Sequence, residues 1–143
     1  MFILIMMNSL KIILLLIMMQ GFYSSAQDIA DYTWKNRIII LYNDNINAEE
    51  VNSALKEIKQ SNIEFEERDI IVFIYVNGKF VNTSNNSINL KTPDALPISY
   101  DGYILIGKDG GIKLKAAYPI NLAALFNRID SMPMRMSEMK LKN

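Results

Sequence analysis

The sequence predicts an α/β domain in which a β-α-β unit is followed by a β-β-α unit around a central mixed sheet. Three observations carry that expectation. Two runs, residues 37–42 and 70–76, are apolar without alternation behind a charged start, the pattern of strands buried on both faces. The stretch between them carries Ala48, Val51, Leu55 and Ile58 at helical spacing. Toward the C-terminus, two short apolar segments bracket a glycine-rich turn and lead into a second amphipathic stretch.

The N-terminal 26 residues come first in chain order. They hold five of the nine methionines and no acidic residue, with Lys11 ahead of the apolar run 12–19 and a polar, small-residue stretch after it. This is the anatomy of a secretion signal. Ser24 and Ala26 supply the small side chains a signal peptidase needs, so cleavage is expected after Ala26. A membrane anchor is not expected, since the run falls well short of the roughly 20 residues that span a bilayer. Lys11 interrupts any longer count, and no cysteine follows for a lipid anchor. Met7 makes a more ordinary signal start than Met1. The predicted organisation is a signal over residues 1–26 and one domain over residues 27–143, exported to the periplasm or the medium.

Within the domain, Trp34 with Tyr32 offers a stacking surface for a ligand, but a lone tryptophan just before a core strand is expected to pack under the sheet instead. Asn47-Ala48-Glu49-Glu50 reads as a capping box opening the first helix, and the β-α-β crossover is expected to be right-handed. Residues 82–89, rich in Asn and Ser, read as a solvated loop; its sequons at Asn82 and Asn85 matter only in a glycosylating eukaryote. Residues 103–106 and 112–116 are strands joined by Gly107-Lys108-Asp109-Gly110-Gly111, a turn that lacks the spacing of a phosphate loop. A helix follows Asn121, with Leu122, Leu125, Phe126 and Ile129 on one stripe, and ends by Pro133. Met132, Met136 and Met139 recur at near-helical spacing and read as a cover over the core. This order of elements is that of the thioredoxin fold.

Composition removes many chemistries. The chain has no cysteine and no histidine, which excludes thiol redox cycling, thiol nucleophiles, serine-histidine triads and the usual zinc, haem and iron-sulfur ligand sets. No cofactor is expected. Without the signal the chain carries 14 basic and 15 acidic residues, a near-neutral balance that argues against a nucleic-acid partner. With no disulfide available, the core alone must hold an exported domain together.

Tyr32-x-Trp34-Lys35-Asn36-Arg37, Glu67-Arg68-Asp69, Gly107-Lys108-Asp109-Gly110-Gly111-x-Lys113 and Ile129-Asp130-Ser131-Met132-Pro133-Met134-Arg135 together resemble the bacterial family numbered 4174 among the domains of unknown function. That family is similar to domains of secreted vertebrate proteins such as equarin and the sushi-repeat proteins. The resemblance covers essentially the whole domain and implies export and a thioredoxin-like fold; it supplies no reaction. Where redox-active thioredoxin relatives open their first helix with cysteines, this chain has Tyr42-Asn43-Asp44-Asn45. It departs again before the third core strand, where Asp101-Gly102 takes the place of the expected proline and Pro97 lies farther upstream.

The charged residues fall into a pattern once placed on this fold. Arg37 enters the first parallel strand and Arg68-Asp69 the second, so all three are expected at the amino edge of the sheet, opposite the edge where α/β proteins usually bind ligands. An antiparallel third strand brings Lys108 and Asp109 to the same edge, and the last helix returns Asp130 and Arg135 there. Two readings follow. In one, the charges interlock to pin the C-terminal tail, with Arg135 bridging Asp69, Asp109 or Asp130 in a bidentate way. In the other, Arg37, Arg68, Lys108 and Arg135 form a site for a small anionic ligand or a partner protein. Asp44, at the opposite edge, reads as a turn and helix-entry residue rather than a base or metal ligand. The favoured function is a non-redox binding or interaction module. The alternative is a cysteine-independent envelope enzyme or an accessory to a thiol oxidoreductase, which two converging carboxylates in a carboxyl-edge pocket would support.

Overall fold

The computed structural model describes residues 1–18, 27–44 and 47–143. The N-terminal apolar segment is a helix, α1 (Phe2–Met18), with exposed side chains from Met1 to Met7 and at Ile12 and Ile13. No helix among the described residues is long and apolar enough to cross a membrane. The expected cleavage position at Ala26, with Ser24, and also Asn45, lie outside the described residues.

A two-residue strand, β1 (Gln27–Asp28), leads into a 3-10 turn over Ile29–Tyr32. Asp28 Oδ1 accepts from the Ala30 amide at 3.0 Å, and Asp31 Oδ2 accepts from the Asp28 amide at 2.9 Å, a reciprocal cap that fixes the chain's entry to the domain. There follow β2 (Arg37–Asn43), α2 (Ala48–Gln60), α3 (Asn62–Glu67), β3 (Ile70–Val76), β4 (Lys79–Asn82), β5 (Ser87–Ile88) and β6 (Leu90–Lys91). The chain closes with β7 (Tyr103–Ile106), β8 (Ile112–Ala116), α4 (Leu122–Asp130) and α5 (Pro133–Lys142). The main sheet has the order β5-β4-β3-β2-β7-β8, and β1 pairs separately with β6. β2 and β3 are parallel, with Arg37 opposite Ile70; β7 lies antiparallel to β2, with Ile106 opposite Ile38. The protein is therefore a mixed α/β fold around an open mixed sheet.

The two apolar runs are continuous because both faces of the sheet are covered. Ile39, Leu41, Val72, Ile74 and Leu105 face a helical layer that supplies Val51, Ala54, Ile58, Phe65, Leu125 and Ile129. The alternate residues Ile38, Ile40, Phe73, Tyr75 and Ile104 face the other way, onto Ile29, Phe80, Leu90 and Leu96. That second face is closed by the 3-10 turn, the β4 hairpin and irregular chain.

Four local expectations are corrected. The Asn47 to Glu50 capping box does not form: Asn47 holds the N-cap position without a side-chain cap, because its Oδ1 is taken by the Asp44 amide at 2.9 Å. The stretch 82–89 is not a loop throughout. Asn82 ends β4 and Ser87 opens β5, while Asn82 Oδ1 ties the turn by accepting from the Ser84 and Asn86 amides at 3.0 and 2.9 Å. Met136, assigned to the cover over the core, is exposed, whereas Met132 does pack against it. The fourth correction concerns Trp34. It stands 68% exposed at φ 68°, because the turn ending the 3-10 segment needs a left-handed residue there and so turns the indole outward. Tyr32 does reach the sheet, edge-on to Phe73 with ring centroids 5.6 Å apart. The one cis peptide among the described residues is Tyr118–Pro119; Pro97 instead offers its carbonyl to the Tyr42 hydroxyl at 2.9 Å.

Candidate functional site

Strand direction assembles the charges. Because β2 and β3 run parallel, their starts are neighbours, and the Arg37 amide bonds the Asp69 carbonyl at 2.9 Å. Because β7 runs the other way, its end and the following turn bring Lys108 alongside. There Lys108 Nζ donates to Asp69 Oδ2 at 2.7 Å. α4 ends at Asp130 and α5 opens two residues after Ser131 with Pro133 at its first position, so Arg135 turns back toward the sheet.

Six of the seven residues expected to gather do so. Arg68 grips Asp130 in the bidentate manner, Nε to Oδ1 at 3.1 Å and Nη2 to Oδ2 at 2.7 Å, and its guanidinium lies 4.5 Å over the Phe126 ring. Arg135 Nε shares Asp130 Oδ1 at 3.1 Å, and its Nη1 donates to the Glu67 carbonyl at 2.8 Å. Of the three partners considered for Arg135, only Asp130 is met, and the bidentate grip belongs to Arg68. Asp109 stands apart: its carboxylate takes Lys113 Nζ at 2.7 Å and the Gly111 amide at 3.0 Å, which fastens the turn to itself. Those two bonds hold its pKa below the ordinary carboxylate value.

Glu138 is the residue that sequence reasoning missed. It accepts from Arg37 Nη1 and Nη2 at 3.2 and 3.3 Å and from Lys108 Nζ at 2.7 Å, and lies 3.6 Å from Arg135 Nη1. Its one sequence signal was the i, i+3 spacing from Arg135 on a helix opened by Pro133. Arg37 is 1% exposed, and a guanidinium that deeply buried is costly without a counter-charge. Glu138 supplies it, and the Arg68 carbonyl takes a further bond at 2.8 Å. Burial alone would raise the pKa of Glu138 and Asp130. The cations outweigh it: Lys108 and Arg37 hold Glu138 below the ordinary value, and Arg68 and Arg135 do the same to Asp130.

The carboxyl edge is arranged differently. Asp44 Oδ1 accepts from the Asn47 amide at 3.1 Å, the turn role expected of it, and Asn47 Nδ2 reaches Asp101 at 3.3 Å. Tyr42, Tyr75 and Tyr100 join Asp44 around a cleft of about 170 Å³ in which it is the one carboxylate. Burial, with Tyr75 nearby, pushes the Tyr42 hydroxyl up to about 12. Among the described residues, no three acidic side chains are grouped to hold a metal ion.

The comparisons with known proteins gave one finding. A family model described as Domain of unknown function (DUF4174) matches residues 28–138. No curated protein and no solved structure matched.

Proposed function

The chain belongs to the family described as Domain of unknown function (DUF4174), and from that starting point we propose that it is an exported, non-redox, thioredoxin-like binding module. The strands β3-β2-β7-β8 in that order, the first two parallel and the next two antiparallel, with α2 and α4 contributing to one face, support the thioredoxin-like reading. The signal-like residues 1–26 support export, to the periplasm or the medium, of a domain over residues 27–143. A chain without cysteine cannot cycle thiols.

The observation that carries binding is Trp34. The sole tryptophan is exposed rather than packed, and its backbone is fixed by a 2.6 Å hydrogen bond from its amide to the Lys108 carbonyl. A large rigid aromatic side chain held out beside the charged edge suits an anchor in a contact with another molecule. The test is thermal unfolding of the full chain carrying Trp34→Ala. A midpoint within about 3 °C of the parent is expected of a side chain serving something outside the fold. A fall of about 6 °C or more would make Trp34 a packing residue and remove the basis of the reading.

A further inference from the structure

Resting on the binding-module reading, we infer that the cleft beside α5 takes a phosphate or sulfate group borne on an apolar body. The cleft, about 430 Å³, opens between the β7–β8 turn and the start of α5. Arg37, Lys108, Lys113 and Arg128 line it against a single carboxylate, Asp109. Glu138 neutralises part of that charge through Arg37 and Lys108, Asp69 takes Lys108 as well, and Asp109 answers Lys113. Cationic character remains, and Arg128 offers only a long 3.5 Å bond to the Lys113 carbonyl.

Two independent features point to an oxyanion. Arg37 lines the cleft while almost wholly buried, and its Nε has no hydrogen-bond partner, so the guanidinium keeps a donor that no protein acceptor claims. The start of α5 is the second feature. Met132 at the N-cap makes no side-chain cap, Pro133 has no amide hydrogen, and the first turn holds no acidic residue. The amides of Met134 and Arg135 therefore lack intrahelical acceptors, and the positive end of the helix dipole stands at the cleft wall.

Shape and polarity narrow the class. The four cations come from four places in the fold, namely the start of β2, the β7–β8 turn, β8 and α4. Donors arriving from several directions suit the spread oxygens of a tetrahedral anion better than the planar pair of a carboxylate. Met132, Pro133 and Met134 give the cleft an apolar wall, which a bare inorganic ion would leave unused and a phosphate or sulfate ester would cover.

The test is a titration of the full chain with phenyl phosphate and phenyl sulfate, read by amide NMR shifts, with benzyl alcohol as the uncharged control. The two esters separate the two sources of the anion. Saturable shifts centred on Lys108 and Met134 are expected for at least one ester. The double variant Lys113→Gln, Arg128→Gln should bind that ester about tenfold more weakly or worse, with its melting midpoint lowered by no more than a few degrees, since Arg128 is exposed and the partly exposed Lys113–Asp109 pair contributes little to stability. The inference is overturned if neither ester saturates in the millimolar range, if benzyl alcohol shifts the same amides equally, or if the double variant binds as the parent does. Failure of both esters beside a neutral Trp34→Ala melt removes the ligand class alone. A collapsed Trp34→Ala melt removes the support that Trp34 gives the module reading, and the titration alone then decides the cleft.

Discussion

Arg37 and Glu138 lie 101 residues apart in the chain and meet through two hydrogen bonds of 3.2 and 3.3 Å. Glu138 also takes Lys108, so one carboxylate from the last helix ties the start of the central strand to the β7–β8 turn. Glu138→Gln keeps the shape and removes the charge, leaving a 1% exposed guanidinium without its counter-ion. Glu138 is itself 23% exposed, which lets water reduce the penalty. The expected loss is about 2–3 kcal/mol, a fall in melting midpoint of roughly 8 °C or more. A midpoint lowered by less than about 2 °C would show that Arg37 is held by the Arg68 carbonyl alone.

Arg135→Ala tests the other half of the network. The side chain is buried and donates to Asp130 and to the Glu67 carbonyl, so truncation removes two bonds and strands a carbonyl oxygen. A loss of about 2 kcal/mol is expected, several degrees in a thermal melt. Arg135→Lys should recover only part of it, since a single ammonium cannot serve both acceptors from the same position. An unchanged melt for Arg135→Ala would mean the tail is not pinned here and that the arginine serves a ligand or partner.

Acid should loosen the same lock. Glu138 and Asp130 both have native pKa values below their ordinary ones. Their contribution is therefore complete above the unfolded carboxylate range and is lost as pH falls through the lowered native values. The melting midpoint should change little between about pH 7 and pH 5 and drop below about pH 4. Asp130→Asn with Glu138→Gln should flatten that acid limb, and an equally steep limb in the double variant would assign the loss to other carboxylates. Tyr42 acts in the opposite sense: with its hydroxyl raised to about 12, stability is complete below the unfolded value near 10 and falls as pH rises toward the native one.

How much of this was legible in the sequence follows the range of the forces. The strands expected over 37–42 and 70–76, the β7–β8 hairpin and α4 are written in apolar periodicity and turn residues, which act locally, and the amino-edge grouping of Arg37, Asp69 and Lys108 follows from strand direction alone. The β3–β4 hairpin is written not in that periodicity but in a turn pair, Asn77-Gly78, whose φ of 48° and 76° makes a favoured two-residue turn. Partner choice was not legible. Asp109 folds back on Lys113 because the tight turn brings positions four apart together, while Glu138 wins Arg37 only after α5 has docked. Trp34 illustrates the same limit, since its outward pose is set by a left-handed turn and by the Lys108 carbonyl, both tertiary facts.

The approach of Gly102 to the end of β8 supplies a test of the fold itself. A Cβ on Gly102 would collide with the Ala116 carbonyl oxygen and crowd Ala117, all of it backbone that a side-chain rotation cannot relieve. Gly102 also offers its carbonyl to the Tyr42 amide at 3.1 Å, so the clash falls where β2, β7 and β8 meet. Gly102→Ala should cost about 3 kcal/mol by forcing strands apart. Gly78→Ala is the matched control: φ is 76° but nothing lies within 4 Å of the new carbon, so only the left-handed backbone resists it, at about 1 kcal/mol. Chemical denaturation of both variants should therefore rank Gly102→Ala well below Gly78→Ala in midpoint. If Gly78→Ala proves the more damaging, the close packing of β7 on the end of β8 is not what this glycine is kept for.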